Sequence, residues 1–199
     1  YEAGSSFKAD GVFGSDDHLF AKAVFFYDDV KDFIAPKGWF EPTTPPTVYY
    51  SSQNVGHVVR KGIELSGTYA AGQFSTSVSY GLLHAVDKET NERMNGITPQ
   101  SANLKLAYAF PAQAINVWYR AHWSKGGESS VEGRATGKNL HFSSFLTHSL
   151  GAEWSPKVAD LANLQAGIAV VNLFDKEYRM LNGSYGSGRG VRLWLSAQF

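Results

Sequence analysis

The sequence predicts an all-β fold, specifically an antiparallel transmembrane β-barrel, from three observations. Apolar and polar residues alternate with a period of two over nine separate segments, the pattern of strands with one apolar face. The connections between these segments alternate between short and long along the chain. Aromatic residues make up 14% of the chain and charged residues only 18%, below the roughly 25% charged residues of an ordinary soluble domain.

The predicted strands follow one another along the whole chain. Each is assigned from apolar residues at alternate positions, as where Phe74, Val78 and Tyr80 are opposed to Ser75 and Ser77. The nine predicted strands are residues 1–13, 19–34, 58–70, 74–82, 104–110, 115–123, 145–154, 164–170 and 191–199.

The last of these segments is the clearest strand. Its alternation predicts which side chains face lipid and which face water. Leu193, Leu195 and Phe199 share one face, which we expect to contact lipid. Arg192 and Gln198 lie on the other face, which we expect to line a water-filled lumen.

The connections suggest two different ends of a barrel. Short turns are predicted near Gly14, Gly72, Pro111 and Pro156, and long segments near Pro45, Asn95, Gly133 and Gly183. Outer-membrane barrels have short periplasmic turns and longer extracellular loops, so the long segments are expected on the extracellular side. The long segment 35–48 contains four prolines, which predicts a loop without ladder pairing.

Several classes of function are excluded or unsupported. The 18 basic residues balance the 18 acidic ones, so nothing indicates a nucleic-acid partner, and the absence of cysteine excludes thiol chemistry. None of the six histidines has a partner at metal-ligand spacing, no GxSxG elbow occurs, and the glycine-rich run 183–190 lacks the features of a phosphate loop. We therefore predict neither a metal site nor an enzyme.

The pattern alone leaves alternatives open. Nine strands is an odd number, whereas single-chain bacterial barrels have an even number, which favours the carboxy-terminal part of a larger barrel. A true count of eight or ten would instead indicate a complete small barrel acting as an adhesin or structural protein. A soluble β-sandwich that serves as a binding module also alternates in this way.

The carboxy-terminal motifs resemble those of a known family. Residues 171–179 read Val-Asn-Leu-Phe-Asp-Lys-Glu-Tyr-Arg, and Gly-Arg-Gly at 188–190 precedes a final strand ending in Phe. This arrangement resembles the carboxy-terminal signature of TonB-dependent outer-membrane receptors. The segments 1–4, 25–34 and 53–65 resemble further strands of the same family.

The resemblance implies a fold and a function. Residues 1–199 would form one domain, about the last nine strands of a 22-stranded barrel whose plug domain and energy-coupling segment lie upstream. The protein would be a receptor in the Gram-negative outer membrane, surrounded by outer-membrane lipid and driven by the TonB complex. It would import a ferric siderophore or haem, taken as a free chelate or from a haem-carrying protein, with the haem branch the most similar and no cofactor of its own.

Under this hypothesis the ligand meets aromatic and basic side chains in the long segments. Aromatic residues and arginine dominate binding hot spots and stack on planar chelates. The predicted contact residues are Trp39, Phe40, Tyr49, Tyr50, Arg134, His141 and Tyr185. Among the histidines, His141 is the candidate ligand.

Overall fold

One antiparallel sheet of nine strands forms the body of the molecule, and two short ribbons extend from it. The computed structural model describes residues 1–41, 47–54, 56–94, 97–129, 140–157, 163–181 and 183–198. The strands are β1 (Glu2–Asp10), β2 (Asp17–Val30), β3 (Ile34–Glu41), β4 (Thr47–Asn54), β5 (Val58–Ala71), β6 (Phe74–Asp87), β7 (Gln100–Phe110), β8 (Ile115–Ser124), β9 (Gly127–Ser129), β10 (Leu140–Phe142), β11 (Phe145–Trp154), β12 (Asn163–Val171) and β13 (Gly190–Gln198).

The main sheet has the order β1-β2-β5-β6-β7-β8-β11-β12-β13, so each strand pairs with its neighbour along the chain apart from the ribbons. The predicted all-β antiparallel sheet of about nine strands is confirmed, and each predicted strand corresponds to one strand of this sheet. A β-sandwich requires two sheets packed face to face. The described residues contain no second large sheet, so the soluble β-sandwich is not the fold.

Short and long connections alternate as the sequence predicted. The short ones are residues 11–16, 72–73, 111–114 and 155–162, and the long ones are 31–57, 88–99, 125–144 and 172–189. Because successive strands are antiparallel, all four long connections lie at one end of the sheet, called here the long-connection end. The short connection 111–114 contains a 3-10 turn over Pro111–Gln113, which Ala114 ends in a left-handed conformation.

The prediction of a loop without pairing over residues 35–48 is wrong. β3 and β4 form a two-stranded ribbon within the long connection 31–57, and Pro36 lies opposite Ser52 in its register. Proline is tolerated on edge strands, and both strands of a two-stranded ribbon are edges. The other three prolines fall in residues 42–46, outside the described part of the chain. A second ribbon, β9 with β10, lies in the connection 125–144, where no strand was predicted.

The first strand ends earlier than predicted because one carboxylate organises the turn that follows it. Asp17 is 1% exposed. Its Oδ1 accepts the backbone N–H of Val12 at 2.7 Å, and its Oδ2 accepts those of Phe13 at 2.7 Å and Gly14 at 2.9 Å. The Tyr69 hydroxyl on β5 donates to the same carboxylate at 3.1 Å. Residues 11–14 therefore close onto the start of β2 instead of extending β1.

The two faces of the main sheet differ in chemistry throughout. Register places apolar residues of neighbouring strands opposite one another on one face, for example Leu193 opposite Ile168. Leu193 and Leu195 are each 75% exposed on this apolar face, and Arg192 lies on the opposite, polar face with Gln198, as predicted. Phe199 lies outside the described residues.

A small cluster of buried apolar residues lies on the polar face. Trp118 on β8 is buried with Ala107 and Ala169, and Trp194 on β13 packs against them. The Trp194 indole lies flat over Gly167 of the neighbouring strand, where an added Cβ would stand 2.0 Å from the ring. Within the described ranges, no helix is long and apolar enough to cross a membrane.

Candidate ligand-binding pocket at the long-connection end

The connection between β12 and β13 is held together by one buried asparagine. Asn172 adopts a left-handed backbone with φ of 48°, which Asn tolerates better than most residues. Its amide Nδ2 donates to the carbonyl oxygens of Lys176 at 2.9 Å and Ser187 at 3.0 Å. Its Oδ1 accepts the backbone N–H of Lys176 at 2.9 Å. One side chain thus joins the two halves of the connection.

A second contact closes the same loop. Asp175 also has a left-handed backbone, with φ of 52°, and its Oδ1 accepts the backbone N–H of Arg189 at 2.6 Å. The Asn-Leu-Phe-Asp and Gly-Arg motifs of the sequence therefore meet in space. The side chains of Asn172 and Asp175 fix the loop at its two ends. The residues between the two motifs form the surface of the loop.

Aromatic rings join this connection to the neighbouring one. The ring of Tyr178 stacks on Phe145, the first residue of β11, with centroids 4.1 Å apart and planes at 27°. Tyr178 also covers Gly186, where any side chain would collide with its ring. Leu181 is buried against Gly127 of β9. The connections 125–144 and 172–189 thus pack against each other at the long-connection end.

Tyr185 presents an exposed ring backed by a cation. Its ring is stacked with the Arg179 guanidinium, which lies 4.3 Å from the ring centroid, and the two residues form a backbone bridge. Tyr185 is nevertheless 75% exposed. A ring fixed from behind and open in front is a platform on which a planar ligand can stack.

Two adjoining cavities lie between these connections. The outer cavity is about 620 Å³ and is lined by His141, Lys176, Tyr178, Arg179 and Tyr185, among others. The inner cavity is about 490 Å³ and reaches the polar face of the sheet. Its lining includes Ser101, His122 and Ser124. Phe142, Ser143, Phe145, Tyr178 and Arg179 border both cavities. Asp175 and Glu177 also line the outer cavity, so the arrangement offers aromatic faces, side chains of both charges and an imidazole around one opening.

Two of the seven predicted contact residues come together in this pocket. His141 on β10 and Tyr185 in the connection 172–189 both line the outer cavity, although they are far apart in sequence. Both were predicted as ligand contacts, and that role stays a prediction. Within the described ranges, no three His, Asp or Glu side chains converge so as to hold a metal ion.

The other predicted residues lie elsewhere. Trp39 and Phe40 on β3 are opposite Tyr49 and Val48 of β4, and Tyr50 is opposite Gly38, so four of the predicted residues belong to one ribbon. Arg134 lies outside the described residues. The structure therefore brings the predicted residues into two groups, the ribbon and the pocket.

Polar contacts fasten the base of the β3–β4 ribbon to the sheet. Asn54 donates from Nδ2 to Asp32 Oδ1 at 2.9 Å, and its own Oδ1 accepts the backbone N–H of Gly56 at 2.7 Å. His57, the residue before β5, pairs with Asp29 of β2 at the same end. The ribbon thus leaves the sheet beside a fixed polar base.

Sequence reasoning missed the residues that shape the pocket. Tyr178 and Arg179 were noted only as part of a motif, and Phe145 and His122 only as strand residues. The available signal was the motif itself, because it places an aromatic and a cation three and four positions after Asp175, which fixes the loop. The stack of Tyr178 on Phe145 joins residues 33 positions apart, and alternation within strands does not predict such contacts.

Comparisons with known proteins agree with this architecture. The family model described as TonB dependent receptor-like, beta-barrel matches residues 1–173. The chain is 24% identical to Heme/hemopexin utilization protein C of Haemophilus influenzae, over 92% of this chain and 26% of that protein. It is 23% identical to TonB-dependent heme receptor A of Haemophilus ducreyi, over 98% of this chain and 29% of that protein. The chain thus spans between a quarter and three tenths of these relatives.

Solved structures show the same fold. The FrpB iron transporter from Neisseria meningitidis (F3-3 variant) superposes with a TM-score of 0.67 at 22% identity, over 96% of this chain and 29% of that one. The siderophore receptor PirA from Acinetobacter baumannii superposes with a TM-score of 0.68 at 19% identity, over 96% of this chain and 30% of that one.

Proposed function

This chain belongs to the TonB dependent receptor-like β-barrel family, and from that premise we propose that the whole protein is a receptor that imports an iron chelate across the outer membrane. Barrels of this family are outer-membrane proteins of Gram-negative cells. The family consists of receptors and transporters, and we infer that this protein binds and releases its ligand without bond chemistry.

The observation that carries the proposal is the extent of the family match. It covers residues 1–173 and so includes eight of the nine strands of the main sheet. The exposed apolar face supports a lipid-facing wall, and the polar face supports a lumen. We infer from this orientation that the long-connection end is extracellular, so the pocket would lie on the side from which a ligand arrives.

We propose haem as the chelate, with ferric siderophores second. The matched relatives from Haemophilus are named for haem and haem receptors, and one superposed structure is named a siderophore receptor. The platform of Tyr185 on Arg179 suits the face of a porphyrin, and the Lys176 cation in the same cavity suits its carboxylates. His141 is the candidate iron ligand in this pocket. Trp39, Phe40, Tyr49, Tyr50 and Arg134 stay predicted contacts of the same ligand.

The proposal includes partners outside this chain. Import would be driven by the TonB complex through a segment upstream of these strands, and the upstream region would include a plug domain within the barrel. Relatives named for haem and hemopexin support a haem-carrying protein as the source of the ligand.

Growth on haem tests the proposed transport. The intact gene, with its upstream region, would be expressed in a Gram-negative strain that lacks its own haem receptors, on iron-depleted medium with haemin or a ferric siderophore as the iron source. We expect growth on haemin, and loss of that growth when TonB is deleted. Growth on the ferric siderophore alone would identify a siderophore and not haem as the ligand. Growth on neither iron source would contradict iron-chelate import.

A substitution in the pocket tests where the ligand binds. Tyr185→Ala removes the exposed ring, so we expect haemin to bind to the full-length protein roughly tenfold more weakly, because a stacking anchor contributes on this order. Phe174→Ala is the matched control, since Phe174 is also an exposed ring of the same connection but does not line the outer cavity. Absorption titration of the purified receptor gives both affinities, and equal affinities would exclude this pocket as the haem site.

A further inference from the structure

The register of the sheet places cations in two adjacent rows across the polar face. One row runs through seven strands as Lys8, Phe20, Thr68, Ser77, Lys105, Arg120 and Ser149. The next row towards the long-connection end runs as Ser6, Lys22, Ser66, Ser79, Asn103, His122 and Thr147. These two rows, called the cationic band, contain four Lys or Arg residues and no carboxylate.

Two of these cations face each other directly. Lys105 on β7 lies opposite Arg120 on β8, and like charges at directly opposite positions destabilise a sheet. Arg120 is exposed and its guanidinium lies 5.3 Å from the ring centroid of Trp118. The flanking residues of the row, Ser77 and Ser149, are small and carry no charge that would compensate the pair.

No acid in the described part of the chain neutralises this pair. The ion pairs found there are His18 with Asp10, His57 with Asp29, and Arg60 with Asp28. Along the strands, Glu64 and Glu153 lie four positions from the row of the pair, about 13 Å at strand rise. This exceeds the Debye length of about 8 Å at physiological ionic strength.

A row of hydrogen-bonding groups lies between the ligand pocket and the cation pair. His122 lines the inner cavity, and its Nδ1 is 2.8 Å from Asn103 Oδ1, which belongs to the same row. Asn103 Nδ2 in turn donates to Ser79 Oγ at 3.2 Å. Lys105 follows Asn103 by two positions on β7 and Arg120 precedes His122 by two positions on β8, so the pair lies about 7 Å further from the long-connection end on the same face.

We propose that Lys105 and Arg120 form an anion-binding site on the lumen wall that takes a carboxylate of the transported chelate after it leaves the pocket. This inference rests on the proposed function. A carboxylate between the two side chains would remove their repulsion and accept charge-assisted hydrogen bonds from both. The site is separate from the pocket at Tyr185 and acts on the ligand one step later.

Uptake of two related probes tests the site in the full-length receptor. Haemin carries two carboxylates, and its dimethyl ester carries none. In cells that express Lys105→Gln with Arg120→Gln, we expect haemin uptake to slow by roughly tenfold, since hydrogen bonds to charged groups contribute at this level. Uptake of the dimethyl ester should equal that of the wild-type protein.

Matched variants separate loss of charge from loss of structure. Arg192→Gln removes a cation of the same face three strands from β8, and it should leave uptake of both probes unchanged. Lys105→Arg with Arg120→Lys keeps both charges and should restore haemin uptake. Equal slowing of both probes, or no slowing of haemin, would overturn the assignment.

Thermal unfolding gives a readout that does not depend on transport. If the pair lacks an anion in the empty receptor, Lys105→Gln removes the repulsion, leaves the contact of Arg120 with Trp118 in place, and should leave the unfolding midpoint unchanged or higher. A lower midpoint would mean that a carboxylate within the protein already occupies the site, and it would overturn the role in transport. A wild-type receptor that takes up neither probe contradicts haem as the proposed ligand, and the midpoint then still decides whether the pair is unneutralised.

Discussion

Single residues with several hydrogen bonds determine where connections begin and how they fold. Asn172 holds two carbonyl groups and one N–H through its side chain, and Asp17 holds three N–H groups and a hydroxyl. Both side chains are polar and buried. Such groups are costly unless every bond is made, so the loops around them adopt one conformation.

Asn172→Ala is therefore expected to destabilise the receptor by roughly 2–3 kcal/mol, because buried carbonyl and N–H groups lose their partners. Asn172→Gly keeps the permitted left-handed backbone but removes the same bonds, so the difference between the two variants isolates backbone strain. Denaturant unfolding of the full-length protein in detergent provides both free energies. A loss below 0.5 kcal/mol for both variants would show that the connection does not depend on this side chain.

A glycine on the polar face has an equally specific requirement. A Cβ at Gly167 would stand 2.0 Å from the Trp194 ring, whereas at Gly81 the nearest atom, Ser101 Oγ, would be 3.8 Å away. We expect Gly167→Ala to cost about 1–3 kcal/mol because the indole must move, and Gly81→Ala to cost much less. Unfolding free energies that are equal for these two strand glycines would contradict the flat packing of Trp194.

At the scale of elements, alternation predicted the main sheet well because period-two patterning determines both the strand and the face. The ranges 145–154 and 58–70 agree with β11 and β5 to within one residue. The β3–β4 ribbon was missed because its prolines indicated a loop, and local composition does not reveal that both strands are edges. The pocket was only partly predictable, because His141 and Tyr185 meet through packing between two connections.

The faces of β13 lead to a prediction for the element as a whole. Leu195 lies on the apolar face and Ser196 on the polar one. Leu195→Arg places a charge against lipid and should cost roughly 2–4 kcal/mol at the bilayer midplane and less nearer the interfaces. Ser196→Arg adds the same charge on the lumen side and should insert normally. The yield of folded receptor in outer membranes measures both, and a normal yield for Leu195→Arg would contradict the lipid-facing assignment.

At the scale of the whole molecule, the two edge strands of the sheet determine whether this chain can form a closed barrel by itself. β1 pairs with β2 and β13 pairs with β12, and in the described structure neither has a second neighbour. With nine antiparallel strands, β1 and β13 run in the same direction, so pairing them would break the antiparallel ladder. Unpaired strand edges do not occur in the hydrocarbon region, because their N–H and C=O groups find no partner there.

Residues 1–199 produced alone behind a secretion signal should therefore fail to form a closed barrel. Closed barrels migrate differently in gels before and after heating, so the unheated sample of this chain is expected to show no shifted band, while the full-length receptor shows one. The physical reason is that the unpaired N–H and C=O groups of two edge strands are costly in lipid, so these edges pair with other chains instead. A heat-sensitive band of monomer size from residues 1–199 would mean that the nine strands close by themselves, and the lumen wall proposed for Lys105 and Arg120 would then belong to a much narrower barrel.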